Sequence, residues 1–302
     1  MLQINNLKEK VLFNNDINYK KKYIDLNSEN MSLIKVEIIN ELISTCLWSG
    51  YIKDRKPISM LLVTKPEYGK TEILKQYRYN KGIVYMNDIT AWGIAKEVFP
   101  RIIKGENVHH IIIPDLLNPI QKQQATSKQF LQFISSLIEE GILNVKTYGI
   151  DMPEIIKSLN KEVQCGLITA ITKEKFQQKR RIWGGDGVLS RFVPISYSYS
   201  ISTLQEIFNS IFDGNFNHNE INIDFPEEKI IVEENREINQ NLNHYSTRIA
   251  NQIGLDGIRL QKAIQILLQA HALMNGRNKV EKVDEEFMIK SFNYINYNFN
   301  II

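Results

Sequence analysis

Residues 64 to 71 read Thr-Lys-Pro-Glu-Tyr-Gly-Lys-Thr and directly follow the apolar run Met60, Leu61, Leu62 and Val63. A phosphate-binding loop consists of a glycine, four free positions and then Gly-Lys-Thr or Gly-Lys-Ser. Here the ending is present, but Thr64 stands in place of the first glycine. The ending carries the grip. Gly69 permits close backbone approach, Lys70 brings a positive charge to the β- and γ-phosphates, and the Thr71 hydroxyl supplies one oxygen to a magnesium ion. Thr64, Lys65, Pro66, Glu67 and Tyr68 must then shape the turn whose N–H groups wrap the phosphates. Pro66 fixes one backbone angle. Thr64 and Glu67 stand where many such loops carry glycine, and Glu67 adds a negative charge beside the phosphates.

The second position with chemistry to offer is Asp115, in the stretch His109-His110-Ile111-Ile112-Ile113-Pro114-Asp115-Leu116-Leu117. A buried strand that brings a carboxylate to its C-terminal edge can support the metal. An ordinary core strand ending in a Pro-Asp turn has the same look. Leu116 follows, where a glutamate would polarise the attacking water, so hydrolysis is more in doubt than binding. Thr172 closes the apolar run Cys165 to Thr172; it is positioned to sense a γ-phosphate, and threonine is also simply a good strand former. His109 and His110 are expected to open their strand rather than to bind a metal, because no third ligand is near in sequence.

These groups need elements that position them. Helical spacing of Leu33, Ile34, Val36, Ile38, Ile39, Leu42 and Ile43 predicts a helix over 32–48. A strand over 59–63, the loop and a helix over 72–77 follow, in the order that phosphate binding requires. Further strands are predicted at 82–86, 109–113, 142–150 and 165–172, and helices at 91–103 and 127–141. Residues 184–200 read as a glycine-rich turn, a short helix and an alternating strand introduced by Ser190-Arg191-Phe192. The chain turns helical from about Asn239. There Ile258, Leu260, Ile264, Leu267 and Leu268 share one face. The fold class is α/β.

Composition narrows the rest. The 302 residues are 43% apolar and 24% charged, ordinary for a soluble globular protein with a sizeable core. A net charge of +3 is too small to announce nucleic acid, so such a contact needs a local basic face. Cys46 and Cys165 lie in separate apolar stretches without zinc spacing, which predicts buried thiols in a reducing, cytoplasmic setting. The polar start of the sequence predicts no secretory signal, and no apolar run approaches the length of a membrane span.

In order and spacing, Gly69-Lys70-Thr71, Asp115, Thr172, Ser190-Arg191-Phe192 and Gly257-Ile258-Arg259 resemble the AAA+ ATPases. The arginine motif Leu189-Ser190-Arg191-Phe192 and the stretch 133–149 are most similar to the branch of the minichromosome maintenance helicases and MoxR-type ATPases, and use in a phage or mobile element fits that branch. The resemblance covers roughly residues 35 to 295. It implies a P-loop three-layer αβα core with a parallel sheet and a C-terminal helical lid, divided as an arm over 1–30, the core over 31–215, and linker plus lid over 216–302. It also implies ATP and Mg²⁺ as cofactors. Lys70 and Thr71 would hold phosphate and metal, Asp115 would support the metal, and Thr172 would act as first sensor. Arg191 would reach a neighbouring subunit's γ-phosphate, and Arg259 would be the lid's sensor.

Three functions compete. One is an oligomeric ATPase working on DNA or on a DNA-bound complex, for which Lys173, Lys175, Lys179, Arg180 and Arg181 around Phe176 are the nearest thing to a phosphate-contacting patch. The same run serves equally as a solvated loop or a subunit contact. The others are a MoxR-like chaperone that remodels protein, and an ATP-dependent scaffold with little turnover.

Overall fold

The computed structural model describes residues 33–87, 90–117, 124–143, 162–214 and 220–297. The strands are β1 (Met60–Thr64), β2 (Ile83–Tyr85), β3 (His110–Ile113), β4 (Gly166–Thr172) and β5 (Val193–Ser196). The helices are α1 (Glu37–Trp48), α2 (Lys70–Lys75), α3 (Ala91–Ile103), α4 (Gln124–Glu139), α5 (Lys173–Gly185), α6 (Ile201–Phe212), α7 (Arg236–Asn251), α8 (Ile258–Met274) and α9 (Lys282–Ser291).

Apolar runs without alternation make strands that are covered on both faces. All of β1 and β3 is buried, as are six of the seven residues of β4. They form one all-parallel sheet in the order β2-β3-β4-β1-β5. Right-handed crossovers put α2 on one face and α3, α4 and α5 on the other, an α/β arrangement consistent with three layers. On the α2 side, the Tyr77 hydroxyl donates to the Asn40 carbonyl at 3.0 Å and ties α1 down. Leu42, Ile43 and Leu47 of α1 are wholly buried, and truncating one of them to alanine costs about 2 to 5 kcal/mol. Among the described residues no helix is long and apolar enough to cross a membrane.

Several expectations shift. The helix predicted from Ser32 begins at Glu37, because Lys35 takes a left-handed φ of 60° that a right-handed helix cannot continue through. Of the strand predicted over 142–150, Ile142 forms one antiparallel bridge with Val163, and 144–150 lies outside the described residues. The alternating strand after Phe192 is instead a short strand buried throughout, since the C-terminal segment covers its outer edge: Ser196 N–H donates to Tyr294 O at 2.8 Å, and Ile195 bridges Ile295. Lys173 to Arg181 is helical, not a loop. In α8, Leu260, Ile264, Leu267 and Leu268 are buried as expected, whereas Ile258 in the first turn is exposed. Both cysteines are buried and free; burial pushes the Cys165 thiol up to about 12.

The turn between α8 and α9 is locked by charge. Asp284 is fully buried and accepts two bonds of 2.7 Å from Arg277 and one of 2.6 Å from His271 Nδ1. It also caps α9 by accepting from the Glu281 N–H at 2.8 Å.

Candidate phosphate-binding site

Because all five strands are parallel, their C-terminal ends share one edge. Thr64, at the end of β1, is the register partner of Thr172 at the end of β4. β3 flanks β4 on the other side with Ile113 opposite Thr169, so Asp115 emerges two residues later at the same edge. The Leu116 N–H donates to Ala170 O at 2.9 Å and keeps the chain against β4 there. β1 connects to β2 at the far margin of the sheet, while β4 connects across β1 to β5. Connections leaving adjacent strands in opposite directions open a crevice at their C-terminal ends, where open α/β sheets bind ligands.

The loop from Lys65 fills that crevice. Gly69 has φ 72° and caps α2, so Lys70 and Thr71 form its first turn. Glu67 has φ 65°, a left-handed conformation forced on a residue with a Cβ. The Lys70 ammonium donates to Lys65 O at 2.7 Å and to Thr64 Oγ1 at 3.4 Å. Burial lowers its pKa, and the carboxylates of Asp115 and Glu174 pull it back up. One Asp115 oxygen is engaged, accepting from the Leu117 N–H at 2.8 Å. Thr172 occupies the N-cap position of α5, yet its hydroxyl makes no capping bond. The hard oxygens of Thr71 and Asp115 suit Mg²⁺, which takes only one or two protein ligands and completes its shell with phosphate and water. Among the described residues no three His, Cys, Asp or Glu side chains cluster to hold a metal by themselves.

Two features of the site were not legible. Glu174, the second residue of α5, brings a carboxylate to the same edge; in sequence it is hidden inside a run of lysines. An aromatic collar also buttresses the loop: Tyr197 donates to Tyr68 O at 2.5 Å, and the Tyr68 and Tyr199 rings lie 4.9 Å apart. The alternation Tyr197-Ser198-Tyr199 was its only trace.

Arg191 and Arg259 lie elsewhere. β5 begins at Val193 opposite Met60, so Arg191 sits at the N-terminal edge of the sheet, one strand length of about 16 Å from the loop. Arg259 joins it, donating to Ser190 Oγ at 2.8 Å with its Nε 3.7 Å from Glu139. Together with Arg55 and Lys56 they line a cavity of about 370 Å³. Arg191 donates to Gly187 O at 2.5 Å, and its Nε is buried without a hydrogen-bond partner. Burial and the neighbouring Arg259 lower its pKa.

The basic run is spread around α5. Lys175 and Lys179 share one face, Lys173 and Arg180 another, and Arg181 points elsewhere, as helical spacing requires. Arg180 is bonded to the Gln252 carbonyl. Phe176 is in the core and closed to base stacking. His109 and His110 are likewise core residues, with their Nδ1 atoms 2.6 Å apart; burial lowers both pKa values, that of His110 to about 3.

No protein-family model matches the sequence, and no curated protein matches it.

Proposed function

We propose that the chain is a Mg·ATP-binding protein of the AAA+ type that self-associates and turns ATP over slowly. One observation carries this: parallel register assembles Lys70, Thr71, Asp115 and Thr172 at a single sheet edge, from three strands far apart in sequence. The Lys70 ammonium pairs with phosphate, and Thr71 and Asp115 provide the metal's protein oxygens. Mg²⁺ neutralises phosphate charge there. Slow turnover follows from Leu116, which is buried where a water-activating carboxylate would stand. A missing general base costs roughly 100- to 10,000-fold in rate.

Self-association rests on the opposite edge. Arg191 and Arg259 are too far from their own loop to serve it, and their cavity is suited to a neighbour's phosphates. A DNA partner rests on α5 alone, where Lys175, Lys179 and Arg181 remain the residues to test by salt-dependent binding. The deciding experiment is calorimetric titration with Mg·ATP. Wild type should bind and Lys70→Ala should not, while sedimentation should show ATP-dependent assembly that is lost in Arg191→Ala. Equal affinity in wild type and Lys70→Ala removes the nucleotide site, and a monomer under all conditions removes the assembly.

A further inference from the structure

The cavity at the N-terminal edge of the sheet carries more positive charge than its own residues balance. Lys262 joins Arg55, Lys56, Arg191 and Arg259 in its lining, against two carboxylates, those of Asp54 and Glu139. Arg55 is taken up by Glu234. Arg191 and Arg259 stand close enough for the charge of Arg259 to lower the pKa of its neighbour. Two guanidinium groups held so near each other call for an anion within reach of both, and phosphate suits them best because it accepts their N–H groups in pairs.

In the lone chain Glu139 supplies that anion. Its Oε1 lies 3.7 Å from Arg259 Nε and 3.9 Å from Lys56 Nζ, and together with Glu140 it raises the pKa of Arg191 against burial and Arg259. The hold on the carboxylate is loose. Both separations exceed hydrogen-bond length, so it is near its cations without being bonded to them. It also closes α4, whose negative C-terminal end opposes a carboxylate and whose last turn has no basic residue. The backbone is fixed by contrast: Glu139 O accepts from Gln164 Nε2 at 2.9 Å and also from Lys56. With its side chain 31% exposed, the carboxylate can swing into water while the helix end stays in place.

Resting on the phosphate-accepting role given to this cavity above, we infer that Glu139 is a displaceable counter-ion: it occupies the arginine pair in the lone chain and yields it to a triphosphate. Phosphate then enters the cavity only at the high local concentration that a docked neighbour provides. A carboxylate about 5 Å from a multiply charged phosphate lowers its affinity about fivefold to tenfold at 0.1 M salt.

The test uses the full chain carrying Lys70→Ala throughout, so that the loop contributes nothing, and titration calorimetry with inorganic triphosphate as the probe. Lys70→Ala should bind it weakly. Adding Glu139→Gln should tighten binding about fivefold to tenfold at 0.1 M salt and less at 0.5 M. Adding Arg191→Ala as well, or Arg259→Ala at the more exposed of the two arginines, should abolish that gain. The charge control Glu286→Gln, exposed on α9 and outside the cavity lining, should leave the affinity unchanged, and circular dichroism should show every chain folded. Triphosphate that binds none of these chains removes the cavity as a phosphate acceptor, and the role of Glu139 with it. Equal affinity with and without Glu139→Gln, a gain that survives Arg191→Ala, or one that Glu286→Gln reproduces overturns the role of Glu139 alone. None of these outcomes touches the loop, whose own failure shows in the Mg·ATP titration of wild type against Lys70→Ala.

Discussion

Glu67 permits the phosphate loop to be tested in two independent ways with two substitutions. Its φ of 65° costs a residue with a Cβ about 1 to 2 kcal/mol relative to the right-handed region. Glu67→Gly removes that cost but gives the unfolded chain back about 0.4 to 1 kcal/mol of backbone freedom. The net stabilisation is about 0.5 to 1 kcal/mol, a rise of roughly 1 to 4 °C in Tm for a chain of this size. Glu67→Gln keeps the strain and removes only the charge, so its stability should stay within about 0.5 kcal/mol of wild type. The nucleotide responds the other way round. An exposed carboxylate about 8 Å from a polyphosphate opposes it by about 0.5 kcal/mol per unit charge in water, before screening. Glu67→Gln should therefore tighten Mg·ATP binding roughly twofold to fivefold at 0.1 M salt and less at 0.5 M. Differential scanning calorimetry and titration calorimetry at the two salt concentrations read both effects. A Glu67→Gly chain no more stable than Glu67→Gln refutes the strain, and a salt-independent affinity in Glu67→Gln refutes the nearby phosphates.

The buried histidines predict an acid-sensitive fold. His110 stays neutral down to about 3 in the native state and titrates near 6.5 when unfolded, so the unfolded chain takes up the extra proton and stability falls as pH drops through that window. Between pH 7 and 5 this amounts to about 2 kcal/mol, and urea unfolding of His110→Gln should show a correspondingly shallower dependence. His271 works in the opposite direction: burial opposes its charge, but Asp284 and Glu41 hold its pKa up, so its contribution is full below 6.5 and fades as pH rises. Glu174→Gln should leave the already slow single-turnover hydrolysis within about threefold of wild type, since no general base is lost; a fall of about tenfold or more would show that this carboxylate activates water and refute slow turnover for want of a base. Arg277→Met should destabilise by about 3 kcal/mol because it strands the buried Asp284, and a loss under 1 kcal/mol in chemical denaturation would show that His271 alone suffices.

What was readable in the sequence was whatever local chemistry determines. Continuous apolar runs announced β1, β3 and β4, and a polar group ending each run located Asp115 and Thr172 before the register aligned them. What was not readable depends on partners distant in the chain. The coverage of β5 comes from Tyr294 and Ile295, about a hundred residues later, so Val193 to Ser196 looked like a half-exposed strand. Phe176 sits in a helix of mostly charged residues, where its neighbours suggested solvent although the sheet buries it. Glu174 was masked by the same lysines. The two arginines were legible as chemistry, but their place at the opposite edge follows from strand direction, which spacing alone does not reveal.

The late arrival of Ile295 bears on how the molecule is made. β5 borders the sheet, and its free side is closed only when the segment around Tyr294 and Ile295 has been synthesised and has folded back. Until then a growing chain on the ribosome presents an unpaired apolar margin, the kind of surface that recruits strands from other nascent chains. Pro194 occupies the second position of that margin and has no N–H to donate, which blunts it as a template during the wait. A chain truncated before Tyr294 should therefore lose more to aggregation on refolding than the full sequence.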